Sequence, residues 1–236
     1  MCGRFTLWLQ FGDLIKAFPE FEFSDVLEPR YNIAPTQSVA VVPNDGERQV
    51  RLFHWGLVPF WAKDPSIGNR MINARGETAA EKPAFRAAYQ RRRCLILADG
   101  FYEWQKVPGE RTKTPTYIRM ASGDPFAFAG LWEVWRPKTD SEDEVAPLAS
   151  CTIITTRPNE LVAPIHNRMP VILPRDSYDR WLTPEVVPSR SLDELLVPYP
   201  AEAMIAHPVS RYVNSPGNDS PLCIEAQSIA TDGGHR

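Results

Sequence analysis

The stretch 93-RCLILADGFYEWQK-106 decides the fold. It contains an apolar run, an Asp-Gly pair typical of turns, and a second run in which aromatic and polar side chains follow one another. Apolar and aromatic runs of this length, separated by a turn signal, are typical of β-strands. The stretch therefore predicts a buried strand, a turn and a second strand whose Phe101, Glu103 and Gln105 share one face.

The same pattern recurs along the chain. Residues 38–59 predict a β-hairpin around the turn signal Asn-Asp-Gly. Further strands are predicted at 114–120, 125–135, 149–156, 169–174 and 203–210. We therefore expect a domain built mainly on antiparallel strands.

Helices are predicted to be few and short. They cover 11–20, which Pro19 ends, 83–93 with Pro83 at its start, 174–182 and 191–199. Residues 60–78 are expected to form a long loop rich in turns. The 23 prolines and 13 glycines favour short elements and exclude a helix bundle.

The 236 residues are enough for one sizeable core. We expect one α+β domain over residues 1–227 and a disordered tail at 228–236. The acidic residues 140–144 are expected to lie in a solvated hairpin loop to which the sequence assigns no role.

Composition limits the class of protein. The net charge is −3, from 26 basic and 29 acidic residues, so any site for a polyanion must be local. No apolar run reaches the roughly 20 residues of a membrane span, and a cytoplasmic protein without membrane partners is expected. The four cysteines form no CxxC pair, so no metal site, disulfide framework or cofactor is predicted.

Cys2 is the first candidate for chemistry. Removal of Met1 would leave a thiol and an α-amine on adjacent carbons. Such a 1,2-aminothiol condenses with an aldehyde, because the amine forms a Schiff base and the thiolate then closes a five-membered thiazolidine. The alternative is that a cysteine at this position is accidental.

Glu103 and His166 are the next candidates. Glu103 lies between Tyr102 and Trp104 and could be a buried general acid or base, or a solvated strand residue. His166 lies in a loop beside Arg168 and could shuttle a proton or bind phosphate, or could be a surface residue.

The predicted loop 60–78 carries basic and aromatic residues. Arg70 and Arg75 suit phosphate contacts, and Asn73 could orient an amine or a carbonyl. Trp61 lies beside Lys63 and could stack on an exposed base. The alternatives are a solvated loop and, for the aromatic residues, core packing.

Eight motifs, in this order, resemble one family. They are MCGRF, RYNIAPTQ, WGLVPFWAKD, INARGET, RRCLILADGFYEW, FAGLWE, TIITT and HNRMPVIL. The family is SRAP, the SOS response-associated peptidase-like proteins that shield abasic sites in DNA. The resemblance extends from Cys2 to about Pro208 and implies a single compact α+β domain whose antiparallel sheets curve into a barrel-like core with short flanking helices.

The resemblance also implies a reaction and its residues. Cys2 would form a thiazolidine with the ring-opened abasic aldehyde, Asn73 would orient its α-amine, Glu103 would act as acid and base, and His166 would contact the lesion. The residues implied to contact DNA are Arg4, Trp61, Arg70, Arg75 and Arg168.

The implied partner is single-stranded DNA, or its junction with duplex, bound by a monomer that would associate with the nucleoid in a bacterium. Asn167 stands where many relatives are expected to carry an acidic residue. Two other functions stay open: a thiol peptidase or N-terminal-nucleophile hydrolase that acts at least on its own Met1, and a non-catalytic single-strand binder.

Overall fold

The stretch 93–106 places its two strands in different sheets. In the computed structural model, which describes residues 2–109, 111–137, 146–188 and 190–227, the first strand lies in a nine-stranded sheet and the second in a five-stranded one. The chain crosses between the sheets at Asp99. The acidic segment 140–144 and the tail 228–236 lie outside the described residues, so both expectations, with the domain boundary at 227, stay predictions.

The described residues form fourteen strands. They are β1 (Phe5–Leu7), β2 (Glu22–Phe23), β3 (Arg30–Ile33), β4 (Ser38–Pro43), β5 (Gln49–Trp55), β6 (Asn73–Arg75), β7 (Arg93–Ala98), β8 (Gly100–Gln105), β9 (Thr114–Met120), β10 (Phe126–Trp135), β11 (Leu148–Thr156), β12 (Met169–Pro170), β13 (Ile172–Leu173) and β14 (Met204–Pro208).

The helices are short, as expected. The α-helices are α1 (Phe11–Ala17), α2 (Gly76–Ala79), α3 (Arg86–Arg91) and α4 (Tyr178–Trp181). The 3-10 helices cover Pro65–Arg70, Arg175–Ser177, Asp193–Leu195, Ala201–Ala203, Arg211–Asn214 and Pro221–Cys223.

Five strands of the larger sheet close into a barrel. The order β11-β10-β7-β4-β5 returns to β11 through a β5–β11 pairing. The first four pairings are antiparallel and the closing one is parallel. Four reversals of direction leave β5 and β11 pointing the same way, so a ring of five such strands can close only through one parallel pairing. The predicted α+β fold with a barrel-like core is confirmed.

The smaller sheet has the order β14-β9-β8-β1-β3 and is antiparallel throughout. Its inner face packs against the barrel through Phe5 and Phe101, which belong to the same core cluster as the barrel residues. Its outer face packs with the segment that follows β14, in a second cluster that includes Tyr102 and Tyr117. One sheet thus separates two packed layers.

Two predicted elements were wrong. Residues 60–78 are not a plain loop, because they contain a 3-10 helix, the strand β6 and the helix α2. Strand β6 pairs with β11 in parallel, a non-local pairing that local turn signals cannot reveal. The helix predicted at 191–199 is reduced to the 3-10 turn Asp193–Leu195, and Pro198 limits its extension.

Arg93 joins the helices to the barrel. Its side chain is fully buried, and the guanidinium donates hydrogen bonds to the carbonyls of five residues. They are Tyr89, Gln90, Trp181, Thr183 and Glu185. Because a buried cation needs its donors satisfied, this arrangement fixes the chain after α4 against the end of α3.

No helix among the described residues is both long and apolar enough to cross a membrane.

Gly100 is expected to tolerate no side chain. A Cβ atom there would lie 2.1 Å from the Tyr117 hydroxyl oxygen, which is hydrogen-bonded to Thr6 and Trp8 and cannot move freely. Gly100→Ala should therefore lower the free energy of unfolding by about 3 kcal/mol, measured by urea denaturation. Gly12→Ala is the control, since a Cβ on that residue of α1 meets nothing within 4 Å, and it should raise stability by up to about 1 kcal/mol. Equal effects of the two changes would contradict the packing described here.

Candidate active site

The end of strand β8 and the start of the chain lie side by side. Strand β1 pairs with β8, and the Tyr102 N–H donates to the Arg4 carbonyl at 3.0 Å. This pairing places Cys2 beside the part of β8 that contains Glu103. The Cys2 side chain is fully buried, with its sulfur 3.9 Å from the Arg4 carbonyl oxygen.

Asn73 binds the backbone of Cys2. Its Nδ2 donates to the Cys2 carbonyl oxygen at 2.8 Å, which fixes the orientation of the side-chain amide. Its Oδ1 is buried and has no hydrogen-bond partner among the residues that the structure describes. Strand β6 positions this side chain through its pairing with β11, where Asn73 lies opposite Ile153.

Glu103 is a buried carboxyl group. It is 3% exposed, and burial raises its pKa to about 7. Burial also raises the pKa of the Cys2 thiol, and the nearby Glu103 carboxylate raises it further. At neutral pH the thiol is therefore protonated.

His166 lies next to Glu103, with 4.0 Å between its Nδ1 and Glu103 Oε1. The Arg168 N–H donates to the same Nδ1 at 3.1 Å. Burial is the main cause that lowers the pKa of His166, so the imidazole is neutral at pH 7. Nδ1 also lies 3.2 Å from the Arg168 carbonyl oxygen. A ring that accepts at Nδ1 carries its proton on Nε2, and one that donates from Nδ1 to this carbonyl has a free Nε2.

The four residues predicted to carry the chemistry are therefore brought together. Cys2 and Asn73 are hydrogen-bonded, Glu103 and His166 are neighbours, and the charge of Glu103 acts on the Cys2 thiol. They come from the chain start, β6, β8 and the loop before β12, which are far apart in sequence. A buried thiol, a carboxyl group with a pKa near neutrality and a neutral imidazole form a site for proton transfer.

Two of the arginines predicted to contact DNA have protein partners in this structure. Arg4 is 9% exposed, and its Nη1 donates to Asn32 Oδ1 and to the Val213 carbonyl, each at 2.7 Å. Arg168 makes a bidentate pair with Glu77, with distances of 2.6 and 2.9 Å. Arg4 therefore fixes the segment after β14 to the site, and Arg168 connects the His166 loop to α2.

The remaining predicted DNA contacts lie on the surface. Arg70 and Arg75 are exposed, and Trp61 is 46% exposed beside the exposed Phe60. Trp61 and Arg70 line a cavity of about 290 Å³ together with Lys63. Trp55, by contrast, is fully buried in the core, as its position in a strand predicts.

Two residues near the site are not among those predicted from the sequence. Gln105 Nε2 donates to the Pro164 carbonyl at 3.3 Å and so connects β8 to the His166 loop. Glu77 forms an ion pair with Arg168. It lies in the first turn of α2 and could have been noticed only if that helix had been predicted. No group of three or more possible metal ligands occurs within the described ranges.

Comparison with known proteins shows the family to which the chain belongs. The family model of SOS response associated peptidase (SRAP) matches residues 1–216. The chain is 47% identical over 233 residues to the abasic site processing protein YoqW of Bacillus subtilis, with 96% of this chain and 100% of YoqW covered. It is 34% identical to the abasic site processing protein HMCES of Gallus gallus, covering 95% of this chain and 77% of HMCES.

A solved structure shows the same fold. The crystal structure of a protein from Bacteroides thetaiotaomicron superposes with a TM-score of 0.84 at 25% identity, and the match covers 96% of this chain and 100% of that one. The fold is therefore shared by proteins whose sequences have diverged widely.

Proposed function

Because the chain belongs to the SOS response associated peptidase family, we propose that it processes abasic sites in DNA by forming a covalent thiazolidine between Cys2 and the abasic aldehyde. The names of the relatives support abasic-site processing. The observation that carries the covalent step is Cys2 itself, buried with its carbonyl bound by Asn73 and its thiol close to Glu103.

The reaction begins once Met1 has been removed and Cys2 has a free α-amine. The Asn73 Oδ1 is the acceptor for this amine, since Nδ2 is already bound to the Cys2 carbonyl. Glu103, with a pKa of about 7, accepts a proton from the α-ammonium group and leaves a nucleophilic amine.

The abasic sugar must open before it can react. Glu103, which has taken the proton of the α-ammonium group, can give it to the ring oxygen, while the neutral His166 takes the proton of the C1′ hydroxyl group. Opening produces an aldehyde at C1′. The two groups are neighbours, so both transfers can take place at one sugar.

The covalent step conserves all atoms. The amine attacks C1′, the resulting carbinolamine takes back from His166 the proton of the hydroxyl group and loses water, and a protonated imine remains. The Cys2 sulfur then adds to the imine carbon, and the thiol proton passes to the Glu103 carboxylate. The net change is aldehyde plus aminothiol to thiazolidine plus one water.

The surface residues suit a substrate without a base at the lesion. Trp61 and Phe60 can stack on neighbouring bases, and Arg70 and Arg75 can contact phosphates without reading sequence. We propose single-stranded DNA and its junction with duplex as the substrates. Thus a chain with a net charge of −3 binds DNA through a local surface.

The geometry gives less support to a peptidase. A hydrolase with Cys2 as nucleophile would use the Asn73 amide to stabilise an oxyanion, but that amide already binds the Cys2 carbonyl. A test with an unrelated peptide substrate distinguishes the two functions.

The proposed function is tested with two DNA substrates. The protein, shown by intact mass to lack Met1, is mixed with an oligonucleotide that carries one abasic site and with one that carries tetrahydrofuran, which has no aldehyde. We expect an adduct resistant to denaturation with the first only, at the summed mass minus one water. No adduct with the first substrate would overturn the proposal.

A further inference from the structure

Two of the predicted arginines, Arg4 and Arg168, are occupied by protein partners. Arg4 is buried against Asn32 and Val213, and Arg168 is neutralised by Glu77. A DNA phosphate next to the lesion would bring negative charge close to Glu103. Another cation on this side of the molecule would offset that charge.

Lys113 lies at the end of the five-stranded sheet that is nearest the reacting groups. It precedes β9, and the antiparallel pairing of β9 with β8 places Thr114 opposite Gln105 and Thr116 opposite Glu103. Lys113 is therefore one residue beyond the last pair of β8 and β9, close to the end of β8, the strand that contains Glu103. Its side chain is exposed and can reach a ligand in solvent.

The charge of Lys113 acts on both proton-transfer groups. The pKa of Glu103 is raised mainly by burial, and Lys113 counteracts this rise. The pKa of His166 is lowered mainly by burial, and Lys113 lowers it further. These effects agree with the strand register, which places Lys113 one residue beyond the pair Thr114–Gln105, at the end of β8 where Gln105 binds the His166 loop.

We propose that Lys113 binds the DNA phosphate next to the abasic sugar and so keeps C1′ within reach of Cys2. The proposal rests on the proposed function. A lysine suits this role because its ammonium is a compact point charge that binds any phosphate and reads no base. Lys113 is thus a binding and positioning residue, while Glu103 and His166 move the protons.

The test measures non-covalent binding alone. Lys113→Gln, Lys113→Arg and the control Lys16→Gln are compared with the wild type on single-stranded DNA that carries tetrahydrofuran, by fluorescence anisotropy over a range of salt. Lys16 lies in α1, where it pairs with Asp13. One lost phosphate contact should reduce the salt slope by about 0.7 and weaken binding about fivefold at 0.1 M salt. Lys113→Arg should restore both.

The outcomes separate the two proposals. An unchanged salt slope in Lys113→Gln, or an equal change in Lys16→Gln, overturns the role of Lys113 even if the protein forms the covalent adduct. A reduced slope without any adduct on abasic DNA leaves Lys113 as a phosphate ligand and overturns the covalent function. Thermal unfolding of the variants shows that the exposed substitution leaves the fold intact.

Discussion

Cys2→Ala is expected to form no adduct that survives denaturation, while its non-covalent affinity for DNA stays within about twofold of the wild type. The variant keeps the α-amine and loses only the thiol, so it can form the imine but cannot close the ring. An imine hydrolyses during denaturation, and borohydride reduces it to a stable amine. Trapping by borohydride should therefore restore an adduct in Cys2→Ala, whereas the wild type needs no reductant.

The control must separate chemistry from packing. Cys2 is fully buried, so its truncation leaves a small cavity that costs about 1 kcal/mol. Cys2→Ser has nearly the size of the native residue and also lacks the thiol, so it should fail in the same way. A stable adduct formed by either variant without reductant would show that another nucleophile reacts.

Glu103→Gln is expected to lower the rate of adduct formation at pH 7 by about 100- to 10 000-fold. Glutamine keeps the size of the side chain and its hydrogen bonding but cannot exchange a proton. The measurement is single-turnover adduct formation with excess protein. The wild-type rate should rise with pH through an inflection near 7, where Glu103 ionises, and the variant should lack this inflection.

The same substitution should increase stability at high pH. The folded pKa of Glu103, about 7, lies above the ordinary glutamate value of 4.5, so the wild type loses stability as pH rises between these values. The loss is of the order of 3 kcal/mol and is complete above about pH 8. Glu103→Gln, which never ionises, avoids it. An active variant, or one whose stability follows the pH dependence of the wild type, would contradict the assignment.

Sequence patterns predicted much of the fold. The apolar run at 93–98, the hairpin around Asn-Asp-Gly and most later strands lie where the patterns place them. These signals are local, because the residues that favour a strand and those that favour the next turn lie within a few positions of each other. The closing parallel pair β5–β11 could not be predicted, since it joins residues about a hundred positions apart.

The site, too, was predicted in its residues but not in its contacts. Cys2, Asn73, Glu103 and His166 were found as candidates by their chemistry and their motifs, and the fold brings them together. Their contacts depend on non-local pairings that only the structure shows. The roles of these residues stay predictions until the variants are measured.

Charged residues were the hardest to place from sequence. The run Arg91-Arg92-Arg93 resembles a solvated helix end, yet Arg93 is fully buried and Arg92 pairs with Glu133. A charged residue is normally exposed, and only the surrounding carbonyls in the folded chain reveal the exception. The relation of Lys113 to Glu103 likewise comes from strand pairing, which local sequence does not reveal.

The Cys2 side chain becomes buried only late in the synthesis of the chain. Its site is complete only when the loop with His166 has been made, more than 160 residues after Cys2. At about 5–20 residues per second, the ribosome needs roughly 10–30 s for this length. During that interval the Cys2 thiol is exposed to solvent, and after folding its side chain is fully buried. The thiol is therefore most open to oxidation or alkylation while the chain is still being translated.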